Sequence, residues 1–254
     1  MLIVDTHCHA GLDKYELVES LLYHMDQSGV DRAVLIQHGG QTDNSYHVEC
    51  LQKHPNRLQS AMLVAADDDG TRMRHWAAQG LVGIRLSAAS RAQTADPLAQ
   101  WRTAAELDLV VSAPSSPDAL LSPQFAEVVE TFPDLHIAIE HLAGIGHNAQ
   151  PPYEQFEQAL KLARHPNLSL KLPGFGEFCD LPHPFAHIPP LARLAVEAFG
   201  PQRIMWGSDY PPVSSREGYD NSLRVPMQYF ADLSEEDRAW IFGKTALKVW
   251  RFSA

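Results

Sequence analysis

Three short stretches of this 254-residue chain carry residue types that do chemistry on small molecules. The first is Asp5-Thr6-His7-Cys8-His9. In an extended strand, His7 and His9 share a face. Two imidazoles converging at a strand end are a ready pair of metal ligands. The plainer alternative is two hydrogen-bonded histidines in a polar pocket. The second stretch is Glu140-His141, directly after the apolar run 135–139. His141 is a candidate ligand or acid/base, with Glu140 as the partner that orients it. The alternative is a histidine hydrogen-bonded at a strand end. The third is Ser208-Asp209-Tyr210-Pro211-Pro212, after the apolar run 204–206. Asp209 could ligate a metal, orient a water and accept its proton. It could also simply cap the turn before Pro211.

These stretches need elements that bring them together. Short apolar runs recur at 2–4, 33–36, 58–65, 81–86, 109–111, 135–139, 168–172 and 204–206. Segments 17–25, 48–53, 99–107, 125–132, 153–163 and 191–199 lie between them and carry helix-like apolar spacing. A last helix is expected over 235–250, capped by Ser234 with Asp237 three residues on. Strands alternating with helices imply a parallel sheet. Eight such units without a G-x-G-x-x-G phosphate loop favour a closed sheet over an open one. The expected fold is α/β, a (β/α)8 TIM barrel forming a single domain over 1–254. Such barrels place their chemistry at the C-terminal ends of the strands. Strands one and eight are then neighbours, so Asp209 can reach the first-strand histidines.

The surface chemistry excludes other classes. Acidic residues outnumber basic ones 31 to 20, for a net charge of -11. That repels phosphate backbones and anionic lipid, so neither nucleic acid nor a membrane surface is expected as a partner. The N-terminus MLIVDTHCHA lacks a basic leader, and no apolar run approaches a membrane span. Cys8, Cys50 and Cys179 are three and widely spaced, which fits reduced thiols and a cytoplasmic location. The expected partner is a small-molecule substrate, with a homo-oligomer left open. Arg85 ends the fourth apolar run. It is read as a clamp for a carboxylate or carbonyl oxygen, with an ion pair under the rim as the alternative. His24, His54, His75, His136 and His165 fall in or beside helix-like segments and are expected at the surface.

The sequence resembles the amidohydrolase superfamily, in particular its lactonase-like branch of pyrone-dicarboxylate and sugar lactonases. The marks are DTHCH at 5–9, GVDRAVLIQ at 29–37, DNSY at 43–46, GIRL at 83–86, IEHLAG at 139–144, LKLPG at 170–174, GSDYP at 207–211 and IFGKTAL at 241–247. The resemblance implies a divalent metal on His7, His9, His141 and Asp209, zinc first and manganese second. It also allows metal-independent catalysis on the same residues. Binuclear members carry a bridging Lys or Glu on a middle strand, whereas 109–116 reads LVVSAPSS, so one ion is implied. Decarboxylase-like members carry a further histidine where 168–178 has none. His38, Asn44 and Tyr46 resemble the polar wall of a lactonase pocket. Glu177 is read as a ligand, a second base or an ion-pair partner of Lys171. Tyr210 and Arg216 stand on the final loop, able to close over substrate. The implied reaction is hydrolysis of a small carboxylated or sugar-derived lactone. Asp209 takes the water's proton, His141 serves as ligand or acid, and His38 or Arg85 steadies the oxyanion. The rivals are a nonoxidative decarboxylase or hydratase on the same scaffold, and a non-catalytic barrel that binds a small acid. Metal content and lactonase activity separate them.

Overall fold

The computed structural model describes residues 1–145 and 149–252. Eight strands run in chain order: β1 (Val4–Cys8), β2 (Arg32–Ile36), β3 (Leu58–Met62), β4 (Gly83–Arg85), β5 (Val110–Ala113), β6 (Ile137–Ile139), β7 (Leu168–Pro173) and β8 (Ile204–Gly207). Each pairs in parallel with the next. The ring closes through a parallel bridge between Cys8 and Tyr210. The Asp209 N–H donates to the His7 carbonyl at 2.7 Å, and the His9 N–H to the Tyr210 carbonyl at 2.8 Å. This is the expected (β/α)8 barrel. Its closing seam joins the two motifs that carry the first histidines and the aspartate.

Two apolar layers hold it. Val4, Val34, Ile36, Ala61, Val110 and Met205 cluster with Trp250 from the C-terminal segment. Gly83 must be glycine there, because a Cβ would lie 2.7 Å from the Trp250 ring. A larger cluster fills the space between strands and helices. Burial of such side chains contributes about 25 cal/mol per Å² of apolar surface, so this shell supplies most of the drive for closure.

Several boundaries differ from the sequence pattern. β1 continues through Val4–Cys8, past the apolar run at 2–4, because the barrel's interior accepts polar side chains near its mouth. Its pairing with β2 shifts register between Asp5 and Cys8. The helix Thr71–Ala78 has a weak apolar stripe, and Tyr219–Tyr229 carries polar residues and an internal Pro226, so neither stands out in the sequence pattern. The final helix is interrupted by a π-turn at Trp240–Lys244. Its start follows the pattern, with Ser234 Oγ accepting from the Asp237 N–H at 3.0 Å. No helix among the described residues is long and apolar enough to cross a membrane.

Of the five histidines expected at the surface, His75 is exposed. His24, His54, His136 and His165 are half-buried. His24 packs against the Tyr210 and Tyr219 rings, and His136 Nε2 meets Ser169 Oγ at 2.9 Å. Helix and strand flanks in a barrel face the opposite layer as often as solvent, which a position beside a helix does not reveal.

Candidate active site

His7 sits on β1 and His9 just beyond it, while His141 and Asp209 follow β6 and β8. All four therefore stand at the strands' C-terminal end. The His7 ring centroid lies 5.0 Å from that of His9 and 4.3 Å from that of His141. The backbone is strained where two of them project. Asp209 has φ 58°, and His141, Leu142 and Ala143 have φ 46°, 49° and 62°. Left-handed conformations cost non-glycine residues roughly 1–2 kcal/mol each. Strain held at one rim, on residues that point at one centre, marks a functional site. Two glycines let the chain come this close. A Cβ at Gly207 would lie 2.7 Å from His7 Cβ, and one at Gly144 would lie 1.9 Å from the Ser115 carbonyl oxygen.

Hydrogen bonding fixes which ring atoms face the centre. His9 Nδ1 lies 2.6 Å from the Ile36 carbonyl oxygen. A carbonyl only accepts, so Nδ1 carries the proton and Nε2 presents its lone pair. That lone pair faces Asp209 Oδ1 at 3.3 Å. His7 Nε2 is buried without a partner, 3.8 Å from the same oxygen. His141 Nδ1 is also buried and unpartnered. Burial lowers the pKa of both rings, that of His7 far below the ordinary range, with Lys171 adding to the effect. The unpartnered nitrogens of His7 and His141, with His9 Nε2 beside the Asp209 carboxylate, offer a set of nitrogen and oxygen donors. The residues thus fit a divalent cation. The ligand atoms of His7, His9 and Asp209 lie within 4.8 Å of one another, as do those of His7, Glu140 and His141. The four expected ligands therefore split into two groups that share His7.

Glu140 is already engaged. Arg85 forks onto it, with Nε 3.2 Å from Oε1 and Nη2 2.8 Å from Oε2. Ser112 Oγ donates to Oε1 at 2.6 Å and itself accepts from Lys171 Nζ at 2.7 Å. Lys171 Nζ also lies 3.2 Å from His7 Nδ1. Burial alone would raise the Glu140 carboxyl, but Arg85 and Lys171 hold it down at about 2. Burial in turn brings Lys171 down to about 8. Glu140 therefore pairs with Arg85 and Ser112 rather than orienting His141. Lys171 reaches the barrel's heart from β7, not Glu177 at the rim. Glu177 instead forms its ion pair with Arg216, whose Nη1 is also 3.4 Å from Asp209 Oδ2.

The expected wall residues divide. Arg216 and Glu177 stand at the mouth, each side chain a quarter exposed. His38 lies one ring away: its Nε2 meets Asp13 at 3.2 Å, and Tyr15 stands between it and His9. Asn44 is fully buried and saturated. Its oxygen accepts from the Leu63 N–H and Gln37 Nε2, and its nitrogen donates to the Thr42 and Leu63 carbonyls. Tyr46 accepts the Val18 N–H at 2.9 Å, and Tyr210 donates to Glu16. The Asn44 amide is fully engaged by the scaffold, and the Tyr46 and Tyr210 hydroxyls are each hydrogen-bonded to it.

Two contributors were not legible. Tyr15 stacks on His9 at 4.9 Å and 15°. Only its place in the loop after the histidine pair hinted at it. Asp5 accepts from Ser208 N–H, Ser208 Oγ, Tyr219 Oη and the His7 N–H, pinning β1 to the β8 loop beneath the site. Burial raises its carboxyl to about 6.

The family model described as Amidohydrolase matches residues 4–252. An L-fucono-1,5-lactonase from Burkholderia ambifaria is 31% identical over 150 residues, taking in 53% of this chain and 49% of that protein. The match thus spans about half the relative's length. Among solved structures, a protein assigned as a 2-pyrone-4,6-dicarboxylic acid hydrolase from Pseudomonas putida superposes with TM-score 0.82 at 19% identity, over 100% of this chain and 98% of that one. An amidohydrolase from Burkholderia multivorans with bound zinc superposes with TM-score 0.79 at 20% identity, over 100% of both chains. At such identities the likeness is one of fold.

Proposed function

The chain belongs to the amidohydrolase family, and we propose that it is a lactonase that opens a small cyclic ester by attack of water. One observation carries this reading: at the barrel mouth His7 Nε2 and His141 Nδ1 are buried without partners, and the Nε2 atoms of His7 and His9 both face Asp209 Oδ1. The named relative acts on a lactone, which supports the same substrate class.

We assign one divalent ion, zinc, to His7, His9, His141 and Asp209. When bound, such an ion would polarise the ester carbonyl and ease deprotonation of water. The protein's own groups do the rest. Asp209 Oδ1 faces the histidines and is placed to take the attacking water's proton. Arg216, 3.4 Å from Oδ2, fixes the carboxylate's other oxygen. The Ile36 carbonyl locks the His9 tautomer, and Tyr15 covers that ring. Arg85 and His38 act through position rather than by direct contact with the oxyanion, since both are held by carboxylates.

The test is a lactone panel with a pH indicator, run on protein of measured zinc content. Ring opening that needs intact His9 and Asp209 is expected. Zinc-loaded protein that opens no lactone on the panel would refute the assignment.

A further inference from the structure

Between β1 and the helix Val18–Ser28, residues 10–17 form no regular element. Fixing such a stretch loses conformational entropy at every residue, so it stays in place only where contacts hold it. Here the contacts come from both neighbours of β1. On the β2 side, Asp13 Oδ1 lies 3.2 Å from His38 Nε2, and Oδ2 accepts from Gln41 Nε2 at 3.2 Å. On the β8 side, the Tyr210 hydroxyl donates to Glu16 at 2.5 Å. At the two ends, the Ala10 carbonyl lies 3.2 Å from His47 Nε2, and the Val18 N–H donates to the Tyr46 hydroxyl. His38, Tyr46 and Tyr210, expected from the sequence near substrate, thus all fasten this one segment. The two acids that take the side clasps enclose Lys14 and Tyr15.

Tyr15 is where the segment meets the site. Its ring stacks on His9 at 4.9 Å and 15°, and stands edge-on to His38 at 5.4 Å. The side chain is half-buried, and its hydroxyl has no hydrogen-bond partner among the described residues. The phenol is also close enough to act electrostatically on the guanidinium of Arg85, at the end of β4. Resting on the lactonase reading, we propose that residues 10–17 are a strap clasped at Asp13 and Glu16, and that the Tyr15 hydroxyl on it contacts the substrate. A phenol both donates and accepts, so it can meet a lactone's carbonyl oxygen, its ring oxygen or a hydroxyl beside them. The stack on His9 fixes the ring and leaves only the O–H to rotate. His38 and Tyr210 are positioning residues, which act on the substrate through the strap.

Two variants separate contact from support. Tyr15→Phe keeps the stack and removes the hydroxyl. Asp13→Ala removes the β2-side clasp at an exposed position. On the purified, metal-containing protein, KM on a lactone panel is read beside calorimetric binding of a hydrolysis-inert, six-membered polyhydroxylated lactam. Hydrogen exchange of amides 11–16 is followed in the same samples. Tyr15→Phe is expected to weaken lactam binding and raise KM about two- to tenfold, the effect of one lost hydrogen bond, with exchange unchanged. Asp13→Ala is expected to speed exchange in the strap and to weaken binding by a similar factor. In the double variant, the Asp13 change should add less than about twofold, because it works through a hydroxyl already gone. The inference is overturned by unchanged binding in Tyr15→Phe, by an Asp13→Ala protein that exchanges or binds like wild type, by multiplied effects in the double variant, or by a lactam that does not bind. Turnover on the panel would in each case leave the lactonase reading standing. The expected binding pattern without turnover keeps the inference and sinks that reading.

Discussion

On the β1–β8 side of the mouth, His7 Nε2 is buried with no partner, and His9 Nε2 points at a carboxylate oxygen 3.3 Å away. Across the barrel, on the β4–β7 side, Arg85, Glu140, Ser112 and Lys171 form an unbroken chain of hydrogen bonds. Both sides are buried and rich in charge, yet the Arg85–Glu140–Ser112–Lys171 chain is complete, while His7 Nε2 and, at the end of β6, His141 Nδ1 are left without partners. An unsatisfied buried polar group costs about 1–3 kcal/mol. A fold retains that cost where something outside the chain completes the set. The complete side works as scaffold. Its end, Lys171, abuts His7 Nδ1 at 3.2 Å and so transmits rigidity to the open side.

The contrast breaks most sharply at Asp209. Asp209→Asn keeps the shape and removes the basicity. Turnover should fall about 10²–10⁴-fold, the usual effect of losing a general base, with little change in melting temperature. A folded variant with near wild-type turnover would move the function off the open side. Removing charge on the closed side should do the reverse. Glu140→Gln leaves Arg85 and Lys171 facing each other without their carboxylate. Breaking a buried pair from one side costs about 3–5 kcal/mol of stability. The sign with pH follows. Glu140 is held at about 2 against an ordinary 4.5, so its contribution is present above the ordinary value and is lost as pH falls from about 5 toward 2. Denaturant melts of the two proteins should therefore converge in acid. Parallel curves down to the lowest pH would show that the pairing adds no stability.

Legibility followed the same divide. His7, His9, His141 and Asp209 could be read because each sits at or just past the end of its own apolar run, and strand ends share one rim in a barrel. Those are local facts. The closed side depends on pairs far apart in sequence, such as Arg85 with Glu140 and Lys171 with His7, and residue type alone does not choose among possible partners. From the sequence, Glu177 reads equally as a ligand, a second base or an ion-pair partner of Lys171. β7 ends at Pro173, so Lys171 belongs to the strand and Glu177 to the loop beyond it. Asn44 and Tyr46 carried the right polarity for a pocket wall. Nothing local revealed that a helix start and a backbone strand would use up their hydrogen bonds.

Zinc should sharpen the comparison by completing the open side. At one hundred times Kd, a ligand that binds only the folded state adds about 2.7 kcal/mol. In a chain near this size, that corresponds to a rise of about 5–10 °C in melting temperature. Chelated protein titrated with zinc should show that rise at about one equivalent, and His9→Ala should abolish it. Saturation at two equivalents would mean that the His7, Glu140 and His141 group also takes an ion.

The smallest effect tests a scaffold residue that sequence similarity places on the substrate wall. The helix Val18–Ser28 starts at Leu17, whose side chain offers no cap. The Tyr46 hydroxyl accepts the Val18 N–H at 2.9 Å and so stands in for one. Burial raises its pKa to about 12, so it remains a neutral phenol through the working range. Tyr46→Phe keeps the ring and deletes the hydroxyl, with its bonds to the Val18 N–H and to the Cys50 thiol. A lost hydrogen bond of this kind costs about 0.5–1.5 kcal/mol, similar to a missing helix cap. The melting temperature should drop by about 2–4 °C, with kcat and KM on the best lactone unchanged. A hydroxyl that touched substrate would behave in the opposite way, leaving the melting temperature in place and raising KM. That second pattern would return Tyr46 to the pocket and require its bond to Val18 to open when substrate binds.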